Sequence, residues 1–446
     1  MKRNTLIRTV TVVWMGTCVA GAASQEPSLR EILERLERVE RENRELRQEM
    51  QALKSELAAT ARDTGKPSPV EDRLAVVETR VEEQAQAKVE AAQKLPVRIT
   101  GMALFNAFHN SRNAGSHEQN PLIATESPGA RTAGASVRQT VLGLEFESPK
   151  SLWGAAVRGS MFGDFFTEYS GYSAHPRLRT ATLELAWRNT SLTVGQDKPL
   201  VAAREPNSLA QVGYGPLSYS GNLWLWAPQA KLEQRMQWAP GLKAKAQLSL
   251  LQTAEEYSYT SAQTPALEQH RPALQGRFEV AYEFAEDRRV AFAPMFHRST
   301  THIAQSSVDS YLWGFDWAVD PLPKVVWTGT FFKGQNLGGI GGLRQGVYIT
   351  RSGRPVAVGS YGGWTQLTIL PTSRLTLNLM AGQQDDRNSD MFYRGIAKNA
   401  SYAGNLMFRI APNVLLSFET SQVRTTYFTT GVRRNNHYDL AVAYLF

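Results

Sequence analysis

The chain has 446 residues, with 49 Lys+Arg against 41 Asp+Glu, a formal net charge of +8, and 42% hydrophobic residues. No run of about eighteen apolar residues occurs, which excludes an ordinary transmembrane helix in the mature chain. The single cysteine, Cys18, excludes a disulfide framework. A transmembrane β-barrel escapes the first exclusion, because its strands alternate apolar and polar residues and never build a long apolar run.

Residues 1–24 read as an export leader. Lys2, Arg3 and Arg8 form a positive start, Thr9 to Ala20 is short and mostly apolar, and Ala20-Gly21-Ala22 and Ala22-Ala23-Ser24 offer small-residue cleavage sites. Met15-Gly16-Thr17-Cys18 departs from a lipoprotein pattern, so lipidation is not expected. Cleavage after Ala22 or Ser24 leaves a mature chain without cysteine.

Residues 25–96 are expected to form a helical extension. Leu29, Ile32, Leu36, Val39, Asn43, Leu46, Met50, Leu53 and Leu57 recur at alternating spacings of 3 and 4, which lines them along one seam of a supercoiled helix. Glu and Arg fill the flanks, and Asn43 in the seam trades stability for register. Arg35-Leu36-Glu37-Arg38-Val39-Glu40 resembles the short trimerisation motif of coiled coils, with Arg35 and Glu40 pairing across neighbouring helices. A dimer and a lone helix are the alternatives. A break near 63–70, at Gly65, Pro67 and Pro69, ends this segment. A weaker heptad resumes at Leu74, Val77 and Val81 and runs through Gln84, Lys88 and Ala91 to Leu95. Acidic and basic residues are about balanced over 25–96, as in a solvated coiled coil rather than a nucleic-acid arm.

From Val97 the period changes to 2. Strand-like runs fall near 97–109, 136–147, 152–164, 177–187, 191–197, 229–238, 242–253, 274–284, 289–298, 310–319, 324–333, 358–370, 374–384, 400–410, 413–424 and 435–446. Such lengths suit tilted strands crossing a bilayer. Leu242, Ala244, Ala246, Leu248 and Leu250 oppose Lys243, Lys245, Gln247 and Ser249; Phe278, Val280, Tyr282 and Phe284 oppose Arg277, Glu279, Ala281 and Glu283.

Short turns, such as Ser148-Pro149-Lys150, Ala239-Pro240-Gly241 and Ala411-Pro412, alternate with long polar connections. The long ones are expected near 110–135, 165–176, 198–228, 254–273, 299–309, 334–357, 385–399 and 425–434. This is the layout of short periplasmic turns and longer outer loops, with both barrel ends on the periplasmic side. Trp153, Trp187, Trp238, Phe284, Trp327 and Phe446 lie beside the short turns, as in an interfacial girdle. The last run places Tyr438, Leu440, Val442, Tyr444 and Phe446 on one face. The expected fold is therefore an all-β transmembrane barrel of about sixteen antiparallel strands over 97–446, preceded by an α-helical coiled coil.

The ending at Tyr444 and Phe446 is similar to the C-terminal signature of bacterial outer-membrane proteins, which the barrel-assembly machinery recognises. The whole layout resembles trimeric porins, in particular the DcaP-like porins, which join a periplasmic coiled coil to a sixteen-stranded barrel. The resemblance rests on the heptads before Leu57, on Val97-Arg98-Ile99-Thr100-Gly101 and on Phe446. It implies a homotrimer in outer-membrane lipid, with the coiled coil in the periplasm and peptidoglycan as a candidate contact. It also implies uptake of small anionic solutes such as dicarboxylates.

From Val97 onward there are 33 Lys+Arg and 25 Asp+Glu, and 33 − 25 is the whole +8. Alternation points Arg158, Lys231, Arg235, Lys243, Lys245, Arg277 and Arg409 inward, with Glu145, Glu184, Glu233, Glu279 and Glu419 among them. The third long loop, 198–228, folds into the lumen in many sixteen-stranded porins; here it offers Arg204, Glu205, Tyr214 and Tyr219. Arg158, Arg204, Arg235 and Lys245 are the expected constriction residues of an anion-preferring diffusion channel. The alternative function is a trimeric structural tether between outer membrane and cell wall.

Catalysis, a cofactor, a metal and a nucleic-acid partner are not expected. There is no Gly-x-Ser-x-Gly elbow, and the seven histidines form no His-x-x-x-His pair. Gly338-Gly339-Ile340-Gly341-Gly342 lacks the Lys-Ser/Thr of a phosphate loop.

Overall fold

The structure, a computed structural model, describes residues 97–114, 121–166, 175–253, 267–268, 272–285, 288–303, 306–343, 346–391 and 395–446. The leader 1–24, the heptad positions from Leu29 to Leu57, the Arg35–Glu40 motif and the 63–70 break lie outside them.

Sixteen strands form one closed antiparallel barrel: β1 (Val97–Asn110), β2 (Val141–Glu147), β3 (Ala156–Asp164), β4 (Arg177–Ala186), β5 (Thr190–Asp197), β6 (Ala227–Ala239), β7 (Leu242–Leu251), β8 (Ala273–Ala285), β9 (Arg288–Ile303), β10 (Ser306–Leu322), β11 (Val325–Gln335), β12 (Gly359–Ile369), β13 (Leu375–Asp386), β14 (Ile396–Ala411), β15 (Val414–Tyr427) and β16 (Gly431–Leu445). Two shorter strands join the same sheet. Thr132–Ser136 continues β2 along the far half of β1, and Leu267–Glu268 pairs with the end of β9. Closure comes from β16 returning to β1, with Met102 facing Leu445 and Asn110 facing His437.

Each expected run holds a strand. Two connections expected to be long are instead short, because their flanking strands extend. β9 and β10 stay paired out to Ile303 and Ser306, and β15 and β16 out to Tyr427 and Gly431. The added residues, such as Ser299-Thr300-Thr301 and Thr425-Thr426-Tyr427, are largely β-branched or aromatic and favour strand backbone, but they are too polar to show the apolar alternation. The run at 136–147 is broken between Ser136 and Val141, where Gln139 turns inward and is buried.

Alternation sends large apolar side chains outward around the ring. Ile99 is 68% exposed, Trp313 66%, Leu379 59% and Phe418 52%, whereas Leu312, beside Trp313, is fully buried. Monomeric water-soluble proteins rarely expose contiguous apolar surface on this scale; it belongs against hydrocarbon. Trp153, Trp238, Phe284, Trp327 and Phe446 are all exposed at the turn end, where a girdle is expected, and Trp187 Nε1 donates to the Trp153 carbonyl at 3.1 Å.

The seam is sealed at that end. Gly101 N donates to the Phe446 carbonyl at 2.9 Å, Phe446 N returns to Gly101 O at 3.2 Å, and the Phe446 ring lies over Gly101. A β carbon on Gly101 would stand 2.3 Å from the Val141 carbonyl oxygen and 2.9 Å from the ring. Gly101→Val is therefore expected to destabilise the barrel by ~1–3 kcal/mol. The temperature at which the folded band converts on a heat-modifiability gel should fall; an unchanged midpoint contradicts this.

Candidate channel constriction

After β5, residues 198–226 do not run outside the barrel but fold into it. A 3₁₀ turn at Leu200–Ala202 starts the loop, and Val201, Ala202 and Leu223 pack on inward-facing Met295, Leu312 and Phe332 of β9, β10 and β11. Further on, Leu209 packs with Leu104, Ala441 and Ala443, and Leu217 with Trp364 and Met380. The barrel interior on this side is a dry contact between loop and wall.

The loop's backbone polar groups are met by inward side chains around the ring. Asn207 N donates to Gln366 Oε1 at 2.7 Å and Asn405 Nδ2 to the Asn207 carbonyl at 2.8 Å. Ser208 Oγ donates to Glu419 at 2.6 Å, and Asn106 Nδ2 to the Leu209 carbonyl at 2.9 Å. Gln139 accepts from Val212 N and Gly213 N at 2.7 and 2.6 Å and donates to the Ala210 carbonyl at 3.0 Å. Backbone groups moved out of water require such partners. Asn106, Gln139, Gln366, Asn405 and Glu419 are buried for this reason. Gln275 and Ser299 hydrogen-bond His297 inside the wall.

Gly221 marks the tightest approach. Its φ is 95°, and a β carbon there would stand 2.0 Å from the Gly363 carbonyl oxygen of β12. Only glycine permits both.

Toward the short turns the interior stays exposed and charged. Arg98, Arg158, Arg235, Lys243 and Glu283 of β1, β3, β6, β7 and β8 keep between 45% and 73% of their side-chain surface exposed. The basic residues among them, with Lys231 beside them, are nearly all paired. Arg158 meets Glu147 at 3.2 Å, Lys231 meets Asp197 at 2.8 Å, Arg235 meets Glu233 at 2.8 Å and Lys243 meets Glu283 at 2.7 Å. Arg409 donates to the Pro412 carbonyl at 2.6 Å near the turn end.

Arg204, Arg277 and Lys245 converge on two acids. Arg204 Nε and Arg277 Nε reach Asp316 at 2.6 Å each, their Nη2 atoms reach Glu279 at 2.7 and 2.5 Å, and Lys245 lies 3.6 Å from Glu279. Arg277 and Asp316 keep 2% of their side-chain surface, so this knot clamps the loop's start to β8 and β10. Arg158 and Arg409 stand apart from it, toward the turns.

A second cationic cluster was not legible by alternation. Outward Leu183 and Leu185 set a parity on β4 that would send Arg179 and Arg177 outward. A bulge intervenes: Phe162 faces Thr180 and Gly163 faces Leu178, leaving Arg179 as the extra residue. A bulge re-aims the side chains beyond it, and both arginines turn inward onto Asp164. Arg177 Nε and Nη2 reach Asp164 at 2.9 and 2.7 Å, Arg179 Nη1 reaches it at 3.3 Å, and Arg177 also holds the loop's Gly213 carbonyl at 2.5 Å.

Aromatic rings wall this cluster. The Arg177 guanidinium lies 5.1–5.9 Å from the rings of Phe166, Tyr214, Trp224 and Trp226; Arg179 is 4.8 Å from Trp226, and Arg138 is 5.3 Å from Phe166. Two guanidinium groups thus meet one carboxylate, with Arg138 over the neighbouring Phe166 ring, and cation–π contact there also favours positive charge. The available sequence signals were Arg177-Leu178-Arg179 and Trp224-Leu225-Trp226. Among the described residues, no group of three His, Cys, Asp or Glu is placed to hold a metal ion.

No protein-family model matches the chain, and no curated protein matches it in sequence. Solved structures do match in fold. The outer membrane channel DcaP of Acinetobacter baumannii superposes with a TM-score of 0.65 at 15% identity, over 78% of this chain and 97% of that one. An anion-selective porin from Comamonas acidovorans superposes with a TM-score of 0.52 at 12% identity, over 78% and 99%.

Gly221→Val is expected to unseat the inner loop from β12 while leaving the barrel closed. Chymotrypsin should then cut the folded variant within residues 214–226 and spare the unmodified protein. Equal resistance of the two contradicts the close approach.

Proposed function

We propose that the chain is an outer-membrane porin: a passive diffusion channel for small hydrophilic solutes that favours anions. In this reading residues 1–24 are removed on export. Residues 25–96 stand in the periplasm as a coiled coil that joins three copies and offers a contact to peptidoglycan. Residues 97–446 are the barrel, delivered to the assembly machinery by the strand ending in Tyr444 and Phe446. The lipid-ready exterior, the charged inner wall and the inward loop support a channel. So does the likeness in fold to an outer membrane channel and to a porin described as anion-selective.

The observation that carries anion preference is the pair Arg177 and Arg179 on the single carboxylate of Asp164. The expected constriction cations Arg158, Arg204 and Arg235 are compensated by neighbouring carboxylates and contribute little net field. At the arginine cluster positive charge exceeds negative, and it sits where the inner loop meets β4. Excess positive charge in a passage with low-dielectric walls raises the local anion concentration. The exposed charges inside the turn end of the barrel favour a channel over a purely structural tether.

Reversal potentials across a planar bilayer in a salt gradient test this. The unmodified protein is expected to prefer chloride over potassium. Arg179→Ser should reduce the preference roughly fivefold, the factor that corresponds to about 1 kcal/mol for one charge at ~4 Å in a water-like medium. Cation preference in the unmodified channel contradicts the anion reading, and an absence of conductance contradicts the channel itself.

A further inference from the structure

Outside the barrel, at its loop end, Arg424 of β15 and Arg434 of β16 face each other directly in antiparallel register. Val423, Thr425 and Asn435 beside them are buried inward, so alternation sends both guanidinium groups outward, where both residues are exposed. Opposed side chains on one face of an antiparallel pair hold their Cβ atoms ~4.5–5.5 Å apart, and like charges there repel. Among the described residues no carboxylate forms an ion pair with either arginine. Lys398 on β14 faces Thr426, one pleat from Arg424, and is held by Asp385 at 3.3 Å.

The order of residues along this outer face places the pair relative to lipid. Tyr438, Leu440, Val442, Tyr444 and Phe446 are exposed apolar positions. One pleat beyond them, Gln422 Nε2 donates to Asn436 Oδ1 at 2.8 Å across the same two strands. The arginines come next. Residues 434 and 446 are separated by 446 − 434 = 12 positions, and at ~3.3 Å per residue and a tilt of ~40° this spans ~30 Å along the axis, against an apolar band of ~25 Å. The pair therefore stands just past the hydrocarbon, at the level of the outer-leaflet headgroups.

We propose that Arg424 and Arg434 form a binding site for a phosphate-bearing headgroup of an outer-leaflet lipid. One phosphate bridges the two guanidinium groups and removes their mutual repulsion; the Gln422–Asn436 amides below it offer hydrogen bonds to the attached sugar or glycerol. Arginine suits this task, because its planar fork matches phosphate oxygens two at a time and sheds water more readily than an ammonium group. The site faces lipid rather than the lumen and does not depend on which solutes the channel passes.

Native mass spectrometry of the detergent-solubilised full-length protein tests it with three probes: a diphosphorylated acylated disaccharide, the same lipid with its phosphates removed, and inorganic phosphate. The unmodified protein is expected to bind the phosphorylated lipid at least tenfold more tightly than the dephosphorylated one, and the Arg424→Ser/Arg434→Ser variant should lose that difference. Arg424→Lys/Arg434→Lys should retain part of it, which separates charge from fork geometry; each single Arg→Gln variant provides an intermediate if the double serine variant folds poorly. Equal binding of both lipids overturns the proposal, as does equal binding by the double serine variant. Inorganic phosphate competing at the lipid's own affinity marks a free-anion site and overturns the assignment to a headgroup. A double variant that loses its oligomeric state with lipid binding unchanged assigns the pair to a subunit contact, and overturns it too.

Discussion

Every feature of the described fold depends on closing a sheet so that no backbone edge is left unpaired. In hydrocarbon an unmet N–H or carbonyl costs several kcal/mol, so a spanning sheet has to return to its own first strand. Here the return is the pairing of β16 with β1, ending where Phe446 and Gly101 exchange two backbone hydrogen bonds under the terminal ring. Closure fixes inside and outside, and alternation then decides the chemistry of each. Leu248 and Leu250 meet lipid because Lys245, Gln247 and Ser249 meet the interior.

The inner loop applies the same constraint a second time. A segment of 29 residues, 198–226, brings unpaired backbone into the barrel, and its carbonyls and amides have to be satisfied there. The wall supplies Gln139, Gln366, Asn405, Asn106 and Glu419, which explains a barrel interior that is polar yet buried on one side. Ion pairs at Arg204 and Arg277 fix one end of the loop, and Arg177 fixes its middle. Charges remain exposed toward the short turns, beyond the loop. Most of those charges cancel pairwise, so local excesses such as that around Asp164 shape the field more than the total of +8 does.

Much of the barrel was legible from sequence because strand burial has a period of two, and a one-residue error would reverse every side chain. Runs such as Leu242–Leu250 and Tyr438–Phe446 carried their orientation openly. Orientation was lost where the period itself broke. The bulge at Arg179 reversed the parity of Arg177 and Arg179, and the interruption between Ser136 and Val141 turned Gln139 inward. Pairing was invisible for a related reason: Lys231 and Asp197, or Arg204 and Asp316, meet only after register and loop path are set. Alternation points Arg158, Arg235 and Lys245 inward, but their neutralisation is a property of the fold.

The most direct measurement is a scan of single cysteines along β7, Leu242 to Leu251, each spin-labelled in protein reconstituted into bilayers. Collision with oxygen, which concentrates in lipid, and with a water-soluble nickel chelate should alternate with period two. Positions 242, 244, 246, 248 and 250 should be oxygen-accessible, and 243, 245, 247 and 249 should be nickel-accessible or shielded from both. A uniform accessibility profile, or alternation with the two reagents exchanged, would contradict a sheet closed on itself with lipid outside and solute inside.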